Sequence, residues 1–103
     1  MKVVFSTFPN EEKAKEVAKK LVEERLAACV WVMPQMTSFY IWEGKLEEDK
    51  ESLLVAKTVD GKLDDLVKRL KELHPYEVPE IIALDTAYVL PEYQKWAEEV
   101  CGK

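Results

Sequence analysis

Two runs of helical periodicity, each set between strand-like segments, restrict this chain to very few folds. In the first, Ala14, Val17, Ala18, Leu21, Val22 and Leu26 recur at the 3.6-residue period of one helix face. Asn10 stands ahead of it as an N-cap, with Glu11 and Glu12 in the first turn, where the helix dipole favours acids. Residues 3–8 precede it as a short apolar strand ended by Pro9-Asn10. In the second, Asp60-Gly61 opens a helix whose Leu63, Leu66, Val67, Leu70 and Leu73 share one side. Residues 81–84 then read as a strand.

Between the two runs, residues 27–41 are rich in Val, Trp, Phe, Tyr and Thr, with Met33-Pro34-Gln35 as a kink or bulge. Residues 51–58 return as a second strand after a turn at Glu43-Gly44-Lys45, making a long hairpin. Pro91 suits the first position of a last helix, with Tyr93, Trp96, Ala97 and Val100 on one side and Gly102 after it. The order βαββαβ-α predicts an α+β fold, the ferredoxin-like split βαβ sandwich, with strand order 4-1-3-2 and the helices on one face of an antiparallel sheet. At 103 residues it is read as a single domain, 1–103.

A net charge of −5 argues against a nucleic-acid partner or an anionic membrane, both of which call for a basic footprint. No apolar run approaches the ~20 residues of a spanning helix. The first five residues read as a strand rather than a signal peptide, so the expected location is cytoplasmic. Cys29 and Cys101 have no metal-type spacing, and their redox state stays open, although a cytosolic setting disfavours a bridge. Cys29, in an apolar strand, is expected to be a buried and inert thiol.

The segment His74-Pro75-Tyr76-Glu77-Val78-Pro79-Glu80 cannot continue the helix before it. Each proline lacks an N–H and pushes its predecessor toward extended backbone. A stiff loop presenting an imidazole, a phenol and carboxylates is a natural place for a site. The hairpin, meanwhile, carries Trp31, Val32, Met33, Met36, Phe39, Tyr40, Ile41 and Trp42, more large apolar groups than one layer of helices can cover. Such a surplus predicts self-association through the open sheet face and the hairpin edges.

Five motifs in register over nearly the whole chain give it a close resemblance to the CutA family of divalent-cation-tolerance proteins. They are residues 24–30 (Glu24 to Val30), 38–47 (Ser38 to Glu47), Lys57-Thr58, 73–81 (Leu73 to Ile81) and 93–96 (Tyr93 to Trp96). The resemblance implies a homotrimer in which long hairpins extend each neighbour's sheet. It also implies a role in tolerance of copper or other divalent metals, with no established catalytic activity. In copper-binding bacterial members the ligands are a Cys near the end of the first strand and two adjacent histidines before Pro-Tyr. The matching positions here are Ser6, Leu73 and His74, so only His74 keeps a ligand. No cofactor is required on this reading, and Cu2+ or another divalent cation is the candidate ligand.

A second class of function is a trimer of the PII type, which binds a small effector in clefts between subunits. Lys57, His74, Tyr76 and Glu80 would be its polar cleft groups around Tyr40 and Trp42. Lys57 interrupts an apolar strand, and a buried lysine needs a partner, Glu80 being one acid in question. The acidic run Glu43, Glu47, Glu48, Asp49 and Glu51 lacks calcium-loop spacing and reads as solubilising charge at a hairpin tip. There is no GxSxG, P-loop or GxGxxG motif, and no enzyme is expected.

Overall fold

The computed structural model describes residues 1–102. Its elements are β1 (Lys2–Phe8), α1 (Glu11–Glu23), β2 (Cys29–Trp42), β3 (Lys45–Thr58), α2 (Leu63–Leu73), β4 (Ile81–Asp85) and α3 (Pro91–Cys101). The four strands form one antiparallel sheet in the order β2-β3-β1-β4, the split βαβ arrangement read from the sequence. α1 and α2 lie on one face. Their Ala14, Val17, Leu21, Leu66 and Leu70 are fully buried with Val4, Phe8, Leu54 and Ala56 of the central strands. A smaller cluster of Ala28, Val59, Ala97 and Cys101 seats α3. Among the described residues no helix is long and apolar enough to cross a membrane.

Local chemistry explains the helix limits. The Asn10 side chain accepts from Lys13 N–H at 2.8 Å and starts α1. The sequence pattern carries α1 to Leu26, yet it stops at Glu23. Arg25 adopts φ 62°, Arg25 N–H reaches Val22 O at 3.0 Å and Leu26 N–H reaches Leu21 O at 2.9 Å. That is a Schellman cap: the left-handed residue folds the chain back so that Leu26 joins the core instead of another turn. Similarly, Asp60-Gly61 opens only a 3-10 turn, and α2 proper begins at Leu63.

The larger departure is the hairpin. β3 begins at Lys45, not at residue 51, so every acid of the run but Glu43 is in the strand rather than at the tip. Glu43 and Gly44 both have positive φ, 51° and 78°, as a two-residue type I′ turn demands. Such a turn lets pairing resume at once, with Trp42 opposite Lys45 and Ile41 opposite Leu46. A bulge between Met33 and Met36 takes up Pro34, which lacks the N–H that a regular ladder would need. β1 pairs only with residues 52–58 of β3, so residues 36–42 and 45–51 project as a two-stranded arm beyond the sheet. The arm helps give the molecule its 45 × 26 × 22 Å extents.

Candidate functional site

α2 ends at His74 because Pro75 follows it. The histidine is extended, with φ −74° and ψ 134°, and its ring turns inward. It is almost wholly buried, stacked on Phe8 with ring centroids 4.2 Å apart and planes 19° from parallel. Both ring nitrogens are occupied. Nδ1 accepts from Tyr76 N–H at 3.2 Å, which places the proton of the neutral ring on Nε2. Nε2 therefore donates to Ser6 Oγ at 3.1 Å, and Ser6 Oγ donates to the Glu80 carbonyl at 2.7 Å. One relay thus ties α2, β1 and both ends of the proline loop. Burial holds the His74 pKa below the usual imidazole value, against the opposing pull of the Thr7 backbone and Glu51.

The relay sets the loop against the hairpin arm. Tyr76 packs beside His74 with ring centroids 5.0 Å apart, and its hydroxyl donates to Glu51 Oε2 at 2.9 Å. Burial and the Glu51 carboxylate raise the Tyr76 pKa, so the phenol stays a donor. Across the arm, Tyr40 donates to Asp49, and that bond pushes its pKa up to about 12. Between loop and arm lies a cleft of about 550 Å3 whose walls include Tyr40, Trp42, Asp49, Glu51, Tyr76 and Glu80. Aromatic faces and carboxylates together make a surface suited to cations.

Four of the residues singled out in the sequence, Tyr40, Trp42, Tyr76 and Glu80, therefore line one cleft, and His74 stands behind it as the group that positions Tyr76. Lys57 does not join them. Its Nζ lies 3.3 Å from the centroid of the Trp31 ring, and it borders a separate recess with Val3, Phe5 and Val55 on the sheet face away from α1 and α2. The ion pair with Glu80 weighed for Lys57 does not form, because Lys57 lies opposite Val3, four register positions along the sheet from Thr7 and Leu53 at the cleft end. Cys29 pairs with Lys57 in register and shares that face, half-buried rather than sunk in the core. Asp49 and Glu51 were not anticipated as cleft residues. Alternation in β3 from Leu53 back to Glu51 and Asp49 was the signal that could have found them.

The metal expectation meets a donor set that does not fit copper within one chain. Ser6 offers no thiolate, Leu73 no nitrogen, and His74 has both nitrogens engaged. Among the described residues no three His, Cys, Asp or Glu side chains converge so as to hold an ion.

A family model described as the CutA1 divalent ion tolerance protein matches residues 2–100. The chain belongs to the CutA1 family. A divalent-cation tolerance protein CutA of Thermus thermophilus is 51% identical over 97% of this chain and 97% of its own length. The mouse protein CutA is 48% identical over 93% of this chain, which spans only about half of that longer relative, 54%. Among solved structures, CutA from Xylella fastidiosa superimposes with a TM-score of 0.94 at 40% identity, covering 97% of this chain and 96% of the other. The family model and the Thermus relative are named for tolerance of divalent ions or cations.

Proposed function

We propose that this CutA1 chain serves divalent-cation tolerance as a homotrimer, by binding rather than catalysis, with subunits joined through the open sheet face and the hairpin arm. The observation that carries the reading is the uncovered apolar surface. Trp31 and Met33 on the open face are more than half exposed, as are Phe39, Ile41 and Leu46 on the face of the arm opposite Tyr40 and Asp49. Residues 45–51 of β3 also lack a backbone partner on the edge away from β2. Apolar patches beside an open strand edge are resolved in soluble proteins by covering them, and a second copy supplies both a strand and an apolar face.

In such an assembly the cleft between arm and loop would lie beside a neighbour, which could complete a coordination shell. The donors there are carboxylate and phenol oxygens of Asp49, Glu51, Glu80, Tyr40 and Tyr76. Oxygen donors suit hard dications, and this favours an ion such as Mn2+ over copper. The free state of both cysteines accords with a reducing, cytoplasmic setting.

Sedimentation equilibrium at micromolar protein tests the assembly, and a concentration-independent trimer is expected. A folded monomer would overturn the reading. Calorimetric titration of the same sample with Mn2+ and Cu2+ tests the ion. A tight Cu2+ site abolished by His74→Ala, with no response to Mn2+, would refute the oxygen-donor assignment.

A further inference from the structure

Val78 is the most exposed large apolar side chain among the described residues, at 76%. It lies in the middle of the proline loop, between Glu77 and Pro79, and both ends of that loop are pinned. Tyr76 N–H is bonded to His74 Nδ1 at 3.2 Å, and the Glu80 carbonyl accepts from Ser6 Oγ at 2.7 Å. The loop therefore holds an apolar group out in water on a stiff support, which is unfavourable unless something covers it. The Glu77 carboxylate beside it is exposed, with no hydrogen bond or ion pair among the described residues.

The open sheet face carries the complementary features. Lys57 is 7% exposed, and its ammonium is the one buried side-chain polar atom without a hydrogen-bond partner among the described residues. It rests on the face of Trp31, 3.3 Å from the ring centroid, and that contact supplies no acceptor for its protons. Around it Val3, Phe5, Trp31, Leu53 and Val55 line an apolar recess of about 660 Å3. The Met1 amino group at the rim is already paired with Asp60 at 3.2 Å, so Lys57 is the cation there without a counter-charge. No residue of the proline loop borders this recess, so a chain does not fill it with its own loop.

We infer that the proline loop of a second copy seats in this recess, with Val78 of the partner subunit against Trp31, Phe5 and Val55, and Glu77 of the partner subunit on the Lys57 ammonium. One apolar projection meets one apolar hollow, and one free carboxylate meets one free ammonium. The pairing removes the cost of a buried ammonium with no acceptor, and a stiff loop loses little conformational freedom on docking. Loop and recess are different patches of one subunit, so the contact runs head to tail and closes into a ring. The seat exists only between copies and therefore rests on the trimeric reading above. It leaves Asp49, Glu51 and Glu80 free for a cation.

Sedimentation over a dilution series from micromolar to nanomolar protein tests the seat, with circular dichroism to follow the fold. Glu77→Lys and Val78→Asp change exposed loop positions, so both chains are expected to fold. Each should raise the concentration of half-dissociation at least tenfold over the wild type. Adding Lys57→Glu to Glu77→Lys restores the pair with reversed sign and should recover most of that loss. A wild-type trimer whose dilution profile either loop substitution leaves unchanged would overturn the seat and leave the assembly standing. A double variant no tighter than Glu77→Lys alone would give Lys57 a different acceptor and overturn the pairing. A wild-type chain that is monomeric at micromolar protein would overturn the assembly and the seat together.

Discussion

The Tyr76 hydroxyl donates to Glu51 at 2.9 Å, joining two segments 25 residues apart in the chain. Tyr76 is held from behind, because its own backbone N–H is bonded to His74 Nδ1. Glu51 is the last residue of the arm before β3 enters the sheet beside β1. The bond therefore ties the proline loop to the root of the arm and sets the width of the cleft between them.

Tyr76→Phe removes that tie and keeps the ring. A hydrogen bond to a charged acceptor contributes about 1.5–3 kcal/mol when well formed, and the half-open position of this pair places the loss near ~1.5 kcal/mol. Urea unfolding should show that loss. Amide exchange should speed up in residues 75–80 while the core strands stay protected. Unchanged exchange in the loop would show that the prolines alone hold it.

His74 gives stability a defined pH dependence. Its folded pKa is lowered by burial, so below about pH 6.5 the unfolded chain takes up a proton that the folded chain refuses. The contribution is fully present above the unfolded value. It is lost as pH falls from there through the folded pKa, with a slope of at most about 1.4 kcal/mol per pH unit. Urea midpoints measured from pH 7.5 to 5 should fall more steeply for the wild type than for His74→Gln. Identical slopes would place the titrating group elsewhere.

Lys57→Met is expected to stabilise the fold of the single subunit. An unsatisfied buried polar group costs about 1–3 kcal/mol, and the Trp31 contact returns only about 0.5–2 kcal/mol. The gain should be near ~1 kcal/mol, read as a higher urea midpoint of the dissociated chain at pH 7. A loss of stability there would mean that the ammonium has an acceptor within its own chain.

Ile41→Lys places a charge on the outer side of the arm, where Ile41 is 67% exposed and faces Leu46. Within one chain little should change, because surface substitutions away from special features shift stability by less than about 0.5 kcal/mol. In the proposed trimer the charge would be buried without a partner. Sedimentation should then show dissociation of a chain whose circular dichroism is unaltered. A trimer that tolerates the charge would exclude this side of the arm from the interface.

Element types and strand order were legible in the sequence because they rest on local periodicity. The spacing of Ala14, Val17, Ala18 and Leu21 makes a helix whatever surrounds it, and Pro75 ends α2 by removing an N–H. The bulge at Pro34 and the left-handed Gly102 that closes α3 have the same local origin. The reading as a PII-type cleft grouped the loop and hairpin residues Tyr40, Trp42, Tyr76 and Glu80, which line one cleft.

What only the tertiary structure decided was which polar groups meet. Ser6 was read as a lost ligand, yet it is the middle of the relay from His74 to the Glu80 carbonyl, across 68 and 74 positions of chain. Glu51 was counted with a solvated acidic run, but a type I′ turn carries pairing through that run and brings the residue to Tyr76. Lys57 was grouped with His74 at a subunit boundary, and within one chain it lies opposite Val3, four register positions along the sheet from the Thr7 and Leu53 end of the cleft. Periodicity states which side of its own element a residue takes. The side chain it meets depends on register and on how far each strand outruns its neighbour, and those are settled only when the whole sheet packs.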